Sequence, residues 1–233
     1  MVIDERFKGL KDIGWRYEYG GNIETDEELE IDLDKGLYVS GYIEADGSIK
    51  AGGYIEAGGS IEAGGSIEAG GSIKADEYIK AGGYIKVGGY IEAGGSIKAD
   101  EYIKAGGYIK VGGYIEAGGS IKAGWSIEAG GYIEAGGYIE AGEEYGISAG
   151  FHITCKEKLS SGLKCFAGIC TLKEIEDEEK TVTCGKFEGG VLEYGILNEV
   201  GMPEKEDEMV DIDGKKVSKS MVKEALKRFA DSL

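Results

Sequence analysis

Several residue types are scarce in this chain, and each scarcity excludes a class of protein. Proline occurs once in 233 residues and glycine follows no three-residue period, which excludes a proline-rich linker and a collagen helix. No apolar run approaches the roughly 18 residues of a membrane span, and the first six residues, MVIDER, lack the apolar stretch of a secretion signal. The sequence therefore predicts a cytoplasmic protein with no membrane partner.

Basic residues are outnumbered by acidic ones. Lys and Arg number 26 against 44 Asp and Glu, which gives a formal net charge of −18. This charge disfavours direct binding to nucleic-acid phosphates and favours a protein partner with a basic surface, although solvated loops that keep the chain soluble would also explain it. The acidic residues concentrate in three clusters: Glu24, Asp26, Glu27, Glu28, Glu30, Asp32 and Asp34; Glu174, Glu176, Asp177, Glu178 and Glu179; and Glu204, Glu206, Asp207 and Glu208.

A six-residue period occupies half of the chain. A large aliphatic residue falls at Ile31, Leu37 and Ile43 and then at every sixth position through Ile139, giving nineteen hexads, most of which read I-(E/K)-A-G-G-(Y/S). Six is a multiple of the strand period of two but not of 3.6, so hexads favour short strands over a helix. Glycine pairs allow the backbone to turn a corner. Three strands and three corners close a coil of about 18 residues, which predicts an all-β, triangular β-helix.

The direction of each side chain follows from this pattern. Ile and the Ala two residues later are predicted to point inward, while the flanking Tyr or Ser and Glu or Lys point outward. The second glycine position holds Glu77, Glu101 and Trp125 in some hexads, and it must lie outside because a buried unpaired carboxylate is too costly. Nineteen hexads give about six coils, a rod of roughly 30 Å at ~4.8 Å per coil.

The sequence divides into four segments, which are residues 1–30, 31–142, 143–200 and 201–233. The first is an N-terminal cap segment. Its residues Ile3, Phe7, Leu10 and Ile13 have helical spacing and Asp4 is a suitable N-cap, which predicts a short helix. The second segment holds the regular hexads.

The third segment is predicted to continue the β-helix with longer loops. Two extra residues precede Ile147, and an acidic loop spans Glu174–Lys180. A triplet of a large aliphatic residue, any residue and a small residue recurs, at Ile147–Ala149, Ile153–Cys155, Leu163–Cys165 and Val182–Cys184.

The fourth segment has a different pattern. Val210–Val217 is predicted to form a β-hairpin about an Asp-Gly turn. Ser218 or Ser220 then caps a helix with one apolar stripe, which either covers the open end of the β-helix or forms a homodimer. The stripe consists of Met221, Val222, Ala225, Leu226, Phe229 and Leu233.

Neither cysteine nor histidine has the pattern of a catalytic or metal site. The four cysteines are separated by 9, 4 and 13 residues with no C-x2-C pair, which argues against zinc. Cys155, Cys165 and Cys184 stand in the Ala position of their triplets, which favours small buried thiols. His152, the single histidine, precedes an inward isoleucine and is expected to be exposed without a catalytic role. We therefore expect no enzyme activity, no metal and no cofactor.

The outward aromatic residues are the best candidates for a recognition surface. Tyrosine presents a large contact area at low entropic cost, so it is enriched at binding surfaces; stacking between neighbouring coils is the alternative role. The predicted binding residues are Tyr42, Tyr54, Tyr78, Tyr84, Tyr90, Tyr102, Tyr108, Tyr114, Trp125, Tyr132 and Tyr138, together with the acidic residues Glu24, Asp26, Glu27, Glu28, Glu176, Asp177, Glu178 and Glu179.

The hexads, such as Ile55-Glu56-Ala57-Gly58-Gly59-Ser60, resemble those of the hexapeptide acyltransferases, which build a left-handed β-helix and use a catalytic histidine. That family places its small residue two before the aliphatic residue, whereas here Ala follows it by two. Residues 31–142 also contain no histidine. The resemblance therefore implies a fold and does not carry acyl transfer to this chain.

Two further resemblances bear on function. The near-hexads of residues 31–142 resemble the bactofilins, which polymerise end to end, and this implies a self-assembling scaffold. An acidic β-helix is similar in idea to the pentapeptide-repeat DNA mimics, and the low-complexity hexads followed by a hairpin–helix tail look like phage and mobile-element proteins of gut bacteria. These likenesses imply a bacterial host cytoplasm and a non-catalytic inhibitor that occludes a basic, nucleic-acid-handling enzyme or complex, as an anti-CRISPR protein does.

Overall fold

A computed structural model describes residues 1–170, 173–202, 209–212 and 215–218. Met1–Met202 form one compact unit and Pro203–Leu233 form a second. The first unit is an all-β solenoid of about 10 coils with about 18 residues per coil. The fold predicted from the hexads is confirmed.

Each coil contributes a short parallel strand to each of three faces, which we name A, B and C in the order in which the chain first reaches them from Arg16. Face A holds Arg16–Tyr19, Gly36–Val39, Ile55–Ala57, Ile73–Ala75, Ile91–Ala93, Ile109–Val111, Ile127–Ala129 and Ile147–Ala149. Face B holds Ile23–Thr25, Ile43–Ala45, Ile61–Ala63, Ile79–Ala81, Ile97–Ala99, Ile115–Ala117, Ile133–Ala135, Ile153–Cys155, Thr181–Cys184 and Ile196–Glu199. Face C holds Val2–Ile3, Leu29–Ile31, Ile49–Ala51, Ile67–Ala69, Ile85–Val87, Ile103–Ala105, Ile121–Ala123 and Ile139–Glu140.

Two longer strands, Lys158–Ala167 and Lys186–Tyr194, run from face C through the corner into face A, so these two faces join into one sheet at that end. The corners are named AB, BC and CA after the faces that they connect.

The coils stack in register, isoleucine on isoleucine. Ile61 pairs with Ile43 on one side and with Ile79 on the other. The Ile and Ala side chains of the regular hexads are buried almost throughout, from Ile43 to Ala141, while Glu77, Glu101 and Trp125 are exposed. The predicted inward and outward positions are therefore confirmed.

The corners favour glycine because a side chain there would meet the preceding coil. No glycine between Gly36 and Gly162 has a positive φ angle. Instead the backbone ladder continues through the corner, with Gly82 N–H donating to the Ala63 carbonyl at 3.0 Å. A Cβ atom on Gly82 would lie 2.2 Å from the carbonyl oxygen of Gly64 in the preceding coil. Glycine is therefore favoured because the corners of successive coils touch, and not because the chain needs a left-handed conformation.

The predicted N-terminal helix is wrong. Val2–Ile3 pairs in parallel with face C, and Leu10–Asp12 pairs antiparallel with Arg16–Tyr19. The helical spacing of four apolar residues is weak evidence over so short a stretch, and pairing with the first coil overrides it. The first strand of face A is Arg16–Tyr19.

Three inward positions also differ from the prediction. Leu29, not Ile31, pairs with Ile49, so Ile31 occupies the position held elsewhere by Ala. Leu163 is 55% exposed at a corner, and Cys165 takes the position of the aliphatic residue opposite Ile147. Leu29 and Leu37 are eight residues apart, so two residues are inserted between the first repeat and the next. The hexad period alone does not show this insertion, and counting back from Leu37 by six therefore selects Ile31 instead of Leu29.

The second unit contains the antiparallel strands Met209–Ile212 and Lys215–Ser218, which confirms the hairpin. The predicted helix and its stripe, Met221, Val222, Leu226, Phe229 and Leu233, lie outside the described residues, as does the third acidic cluster.

Candidate binding surface

A row of three carboxylates forms one end of face B. Glu24, Glu44 and Glu62 stand directly above one another in successive coils. Asp26 and Asp46 lie beside them, and together with Glu24 and Glu44 they line a shallow groove of about 360 Å³. Like charges in directly opposite positions destabilise a sheet, so this row costs stability that the fold does not require.

The second acidic cluster lies beside the same face near its other end. Glu176–Glu179 belong to an insertion at corner AB, just before Thr181–Cys184 of face B, and Asp177–Lys180 form a 3-10 helix. Two of its carboxylates are partly neutralised, because Lys173 contacts Glu179 at 2.6 Å and Lys180 contacts Asp177 at 2.6 Å.

Eight strand-to-strand steps along face B separate the two clusters. At about 4.8 Å per step the distance is roughly 38 Å. The structure thus places both sequence-predicted acidic clusters along one face of a rod, although they lie on opposite edges of it: Asp26, Glu27 and Glu28 are at corner BC and Glu176–Glu179 are at corner AB.

The middle of face B is electrically balanced. Lys80 donates a hydrogen bond to Glu62 and holds the pKa of that carboxyl below its usual value. Lys98 contacts Glu116 at 2.7 Å. Glu24 and Glu44, by contrast, have no Lys or Arg partner within the described part of the chain. The uncompensated negative charge is therefore concentrated in the first coils.

The other two faces have different charge patterns. Face A alternates strictly, since Lys74 lies between Glu56 and Glu92. Face C has three lysines in succession, Lys86, Lys104 and Lys122, and part of this row lines a groove of about 760 Å³. Face B is thus the face on which acidic residues accumulate.

The predicted aromatic residues do not form one surface, because they are distributed over all three corners. Stacked pairs are Tyr84–Tyr102 at 4.8 Å on corner BC, Tyr90–Tyr108 at 4.8 Å on corner CA, and Tyr114–Tyr132 at 4.9 Å on corner AB. Trp125 and Tyr78 are the most exposed of the candidates, at 49% and 40%. Stacking between coils therefore accounts for most of these rings.

At the corners, a serine in one coil forms a hydrogen bond with the tyrosine in the next. The Ser66 hydroxyl accepts a hydrogen bond from the Tyr84 backbone N–H at 3.1 Å, and Ser96 accepts one from Tyr114 at 3.1 Å. Tyrosine hydroxyls reach back to the preceding coil, as Tyr108 does to Glu92 at 3.2 Å. Burial and this hydrogen bond raise the pKa of Tyr108 to about 12.

His152 and the cysteines have structural positions. The imidazole stacks on Tyr132 at 5.1 Å and its Nε2 lies 2.9 Å from Glu134 Oε1, so it extends the aromatic stack of corner AB instead of being exposed as predicted. Cys155, Cys165 and Cys184 are buried free thiols, as predicted. Burial raises the pKa of Cys155 and Cys165 to about 12.

Comparison with known proteins identifies no relative of this chain. No protein-family model, curated protein or solved structure matches this chain. Across the described residues, no helix has the length and apolarity to cross a membrane, and no group of three or more His, Cys, Asp or Glu side chains could hold a metal ion. The protein is a parallel β-solenoid built from six-residue repeats.

Proposed function

We propose that this protein is a non-catalytic acidic inhibitor that docks through face B onto the basic surface of a nucleic-acid-handling protein and occludes it. The observation that supports this proposal is the position of the two acidic clusters near opposite ends of face B, on its two edges. The roughly 38 Å between them corresponds to about 11 base pairs of duplex at ~3.4 Å each. The two clusters are therefore about one turn of duplex DNA apart.

The cost of the Glu24–Glu44–Glu62 row also supports a role in binding. Face A shows that these positions accept alternating charge, since Lys74 lies between two glutamates there. Retaining a self-repelling row is the pattern expected when a surface is kept for function at the expense of stability. An anti-defence role such as anti-CRISPR, in a bacterial host infected by phage, agrees with this proposal.

The test compares two triple variants that remove the same number of charges. Glu24→Gln/Glu44→Gln/Glu62→Gln neutralises the row on face B, and Glu56→Gln/Glu92→Gln/Glu128→Gln neutralises face A. Each full-length protein is immobilised and incubated with a nuclease-treated bacterial lysate, and retained proteins are identified by mass spectrometry.

We expect the wild type and the face A variant to retain nucleic-acid-binding proteins that added duplex DNA displaces, and the face B variant to lose them. The complex should weaken steeply with salt because its contacts are electrostatic. Equal retention by both variants would refute docking through face B. A higher melting temperature of the face B variant would confirm separately that the row is self-repelling.

A self-assembling scaffold is the second candidate, and the last described coil favours it. Val191, Leu197 and Val200 are exposed there, whereas Phe7 and Leu10 pack against the core at the other end. Exposed apolar side chains on a terminal coil are a site for packing against another copy. Filaments that lengthen with concentration in negative-stain micrographs, unaffected by the face B variant, would favour this candidate.

A further inference from the structure

The column of residues on corner CA contains one vacant position in a stack of rings. Gly36, Tyr54, Ser72, Tyr90 and Tyr108 follow one another there, one coil apart. The rings of Tyr90 and Tyr108 are parallel at 4.8 Å, which is one coil step. Tyr54 and Tyr90 are two coil steps apart, roughly 9.6 Å, and Ser72 between them carries no ring.

Gly36 enlarges this vacancy. A Cβ atom at Gly36 would lie 2.0 Å from Cε1 of Tyr54, so the tyrosine ring rests directly on the glycine backbone. The ring can therefore sink away from Ser72. As a consequence the Tyr54 hydroxyl is buried beside Arg16 and does not face the vacancy, so Tyr54 contributes its ring and not its hydroxyl to this site.

The vacancy is part of a cavity of about 470 Å³, within the range of small-molecule sites. Trp15, from the N-terminal segment, forms a third aromatic wall. The residues that line the cavity include Trp15, Tyr54, Glu56, Ser72, Lys74 and Tyr90.

The charges around the cavity compensate each other. Arg16 contacts the Glu56 carboxylate at 3.0 Å, and Lys74 contacts the same carboxylate at 3.5 Å. Arg16 also pairs with Glu18 at 2.6 Å. No unpaired carboxylate is available for a cation, and neither basic group is free for an anion, so the surroundings favour an uncharged ligand.

We propose that this cavity binds an uncharged, planar aromatic molecule of one or two fused rings. The ring stacks on Tyr90 at the level of Ser72, at the spacing that Tyr90 and Tyr108 already have, and Tyr54 lies on its other side. Trp15 covers it from outside. This site is independent of face B and of the proposed inhibitor function.

The experiment uses quinoline as the probe and the full-length protein, with binding followed by titration calorimetry and by the NMR signal of the Trp15 indole N–H. We expect saturable 1:1 binding with a Kd of roughly 0.1–1 mM, as is normal for so small a ligand. Cyclohexanol, of similar polarity but without a flat ring, should not bind.

The decisive variant is Ser72→Tyr, which fills the vacancy with the residue that other repeats carry at this position. It should fold, and it should weaken quinoline binding by at least about tenfold. Ser96→Tyr is the matched control, because Ser96 occupies the same position in an identical stretch of sequence but lies on corner AB. It should leave binding unchanged.

Three results would overturn the proposal. They are no saturable binding to the wild type up to about 10 mM, equal binding to the wild type and Ser72→Tyr, and an equal effect of the two serine substitutions. N-acetyltyrosinamide, a model of a protein side chain, is titrated alongside. If it bound more tightly than quinoline, the occupant would be an aromatic residue of a partner and not a small molecule.

Discussion

Residues 72–95 and 96–119 have the same sequence but different surroundings. A coil has about 18 residues, so a shift of 24 moves each strand to the next face: Ile79 lies on face B and Ile103 on face C. Both side chains are fully buried and both pair with isoleucine above and below. For the core, the three faces are therefore equivalent.

The outward residues of the two copies are not equivalent. Lys80 bonds to Glu62, whereas its counterpart Lys104 lies between Lys86 and Lys122. Tyr78 is 40% exposed, whereas its counterpart Tyr102 stacks on Tyr84. The hexad therefore determines the core, while the length of the coil determines which surface residues meet.

The largest effect should come from a charge in the core, and it should be the same in both copies. Ile79→Asp and Ile103→Asp each bury an unpaired carboxylate among isoleucine side chains. Each should lower the free energy of unfolding by more than about 4 kcal/mol. Urea denaturation followed by far-ultraviolet circular dichroism measures this. A difference of more than about 1 kcal/mol between the two variants would contradict the equivalence of the faces.

The coupling energy between two tyrosines should depend on whether their rings share a corner. A double-mutant cycle on Tyr84 and Tyr102, each changed to Ala, should give a coupling energy of about 0.5–1.5 kcal/mol because the rings are in contact. The control cycle uses Tyr78 and Tyr102, which are equivalent positions of the two copies. Tyr78 lies on corner AB and Tyr102 on corner BC, so their rings do not meet. It should give a coupling below about 0.3 kcal/mol. Equal couplings would show that ring contact does not stabilise the solenoid.

The sequence was sufficient for the regular coils because every hexad repeats the same inward pair. Ile61 and Ala63 need only a period of six to be placed correctly. The N-terminal end was predicted less well. Ile3 forms a strand by pairing with Ile31, 28 residues away, and such pairing leaves no local pattern, while Leu10 pairs with Tyr19 in a hairpin that the helical spacing concealed.

The candidate sites could be predicted only in part. The acidic clusters were visible in the sequence, but their common face depends on the coil length and on the insertions before Leu37 and Ile147. The aromatic cavity was not predicted. It needs Trp15, Tyr54 and Tyr90 together, and these residues meet only because successive coils bring distant positions to one corner.

Lys80 and Lys104 are equivalent positions of the two copies, and changing each to Glu should shift the melting temperature in opposite directions. Lys104→Glu places a carboxylate between two lysines and should raise the melting temperature by roughly 1–3 °C. Lys80→Glu places a carboxylate opposite Glu62 and should lower it by a similar amount. Both variants change the net charge equally, so long-range repulsion is matched. The difference between the two melting-temperature shifts should shrink in about 1 M salt. Shifts of the same sign in both variants would contradict this prediction.

The smallest effect concerns Tyr108, whose pKa is raised to about 12 by burial and by its hydrogen bond to Glu92. A tyrosine in the unfolded chain ionises near pH 10, so the folded state binds this proton more tightly. The stability that this group contributes is therefore complete below pH ~10 and is lost as the pH rises towards 12. Since the ring is partly exposed, the change in melting temperature should stay below about 2 °C.

Tyr108→Phe isolates this contribution. The wild type and the variant should differ most below pH ~10, and their melting temperatures should converge towards pH ~12. The phenolate absorbance near 295 nm should lose one late-titrating group in the variant. Tyr84→Phe, at the same position of the other copy, controls for the loss of a hydroxyl on a different corner. If Tyr84→Phe changed the dependence of melting temperature on pH in the same way as Tyr108→Phe, the surface residues of the two copies would have equivalent surroundings, as their core residues do.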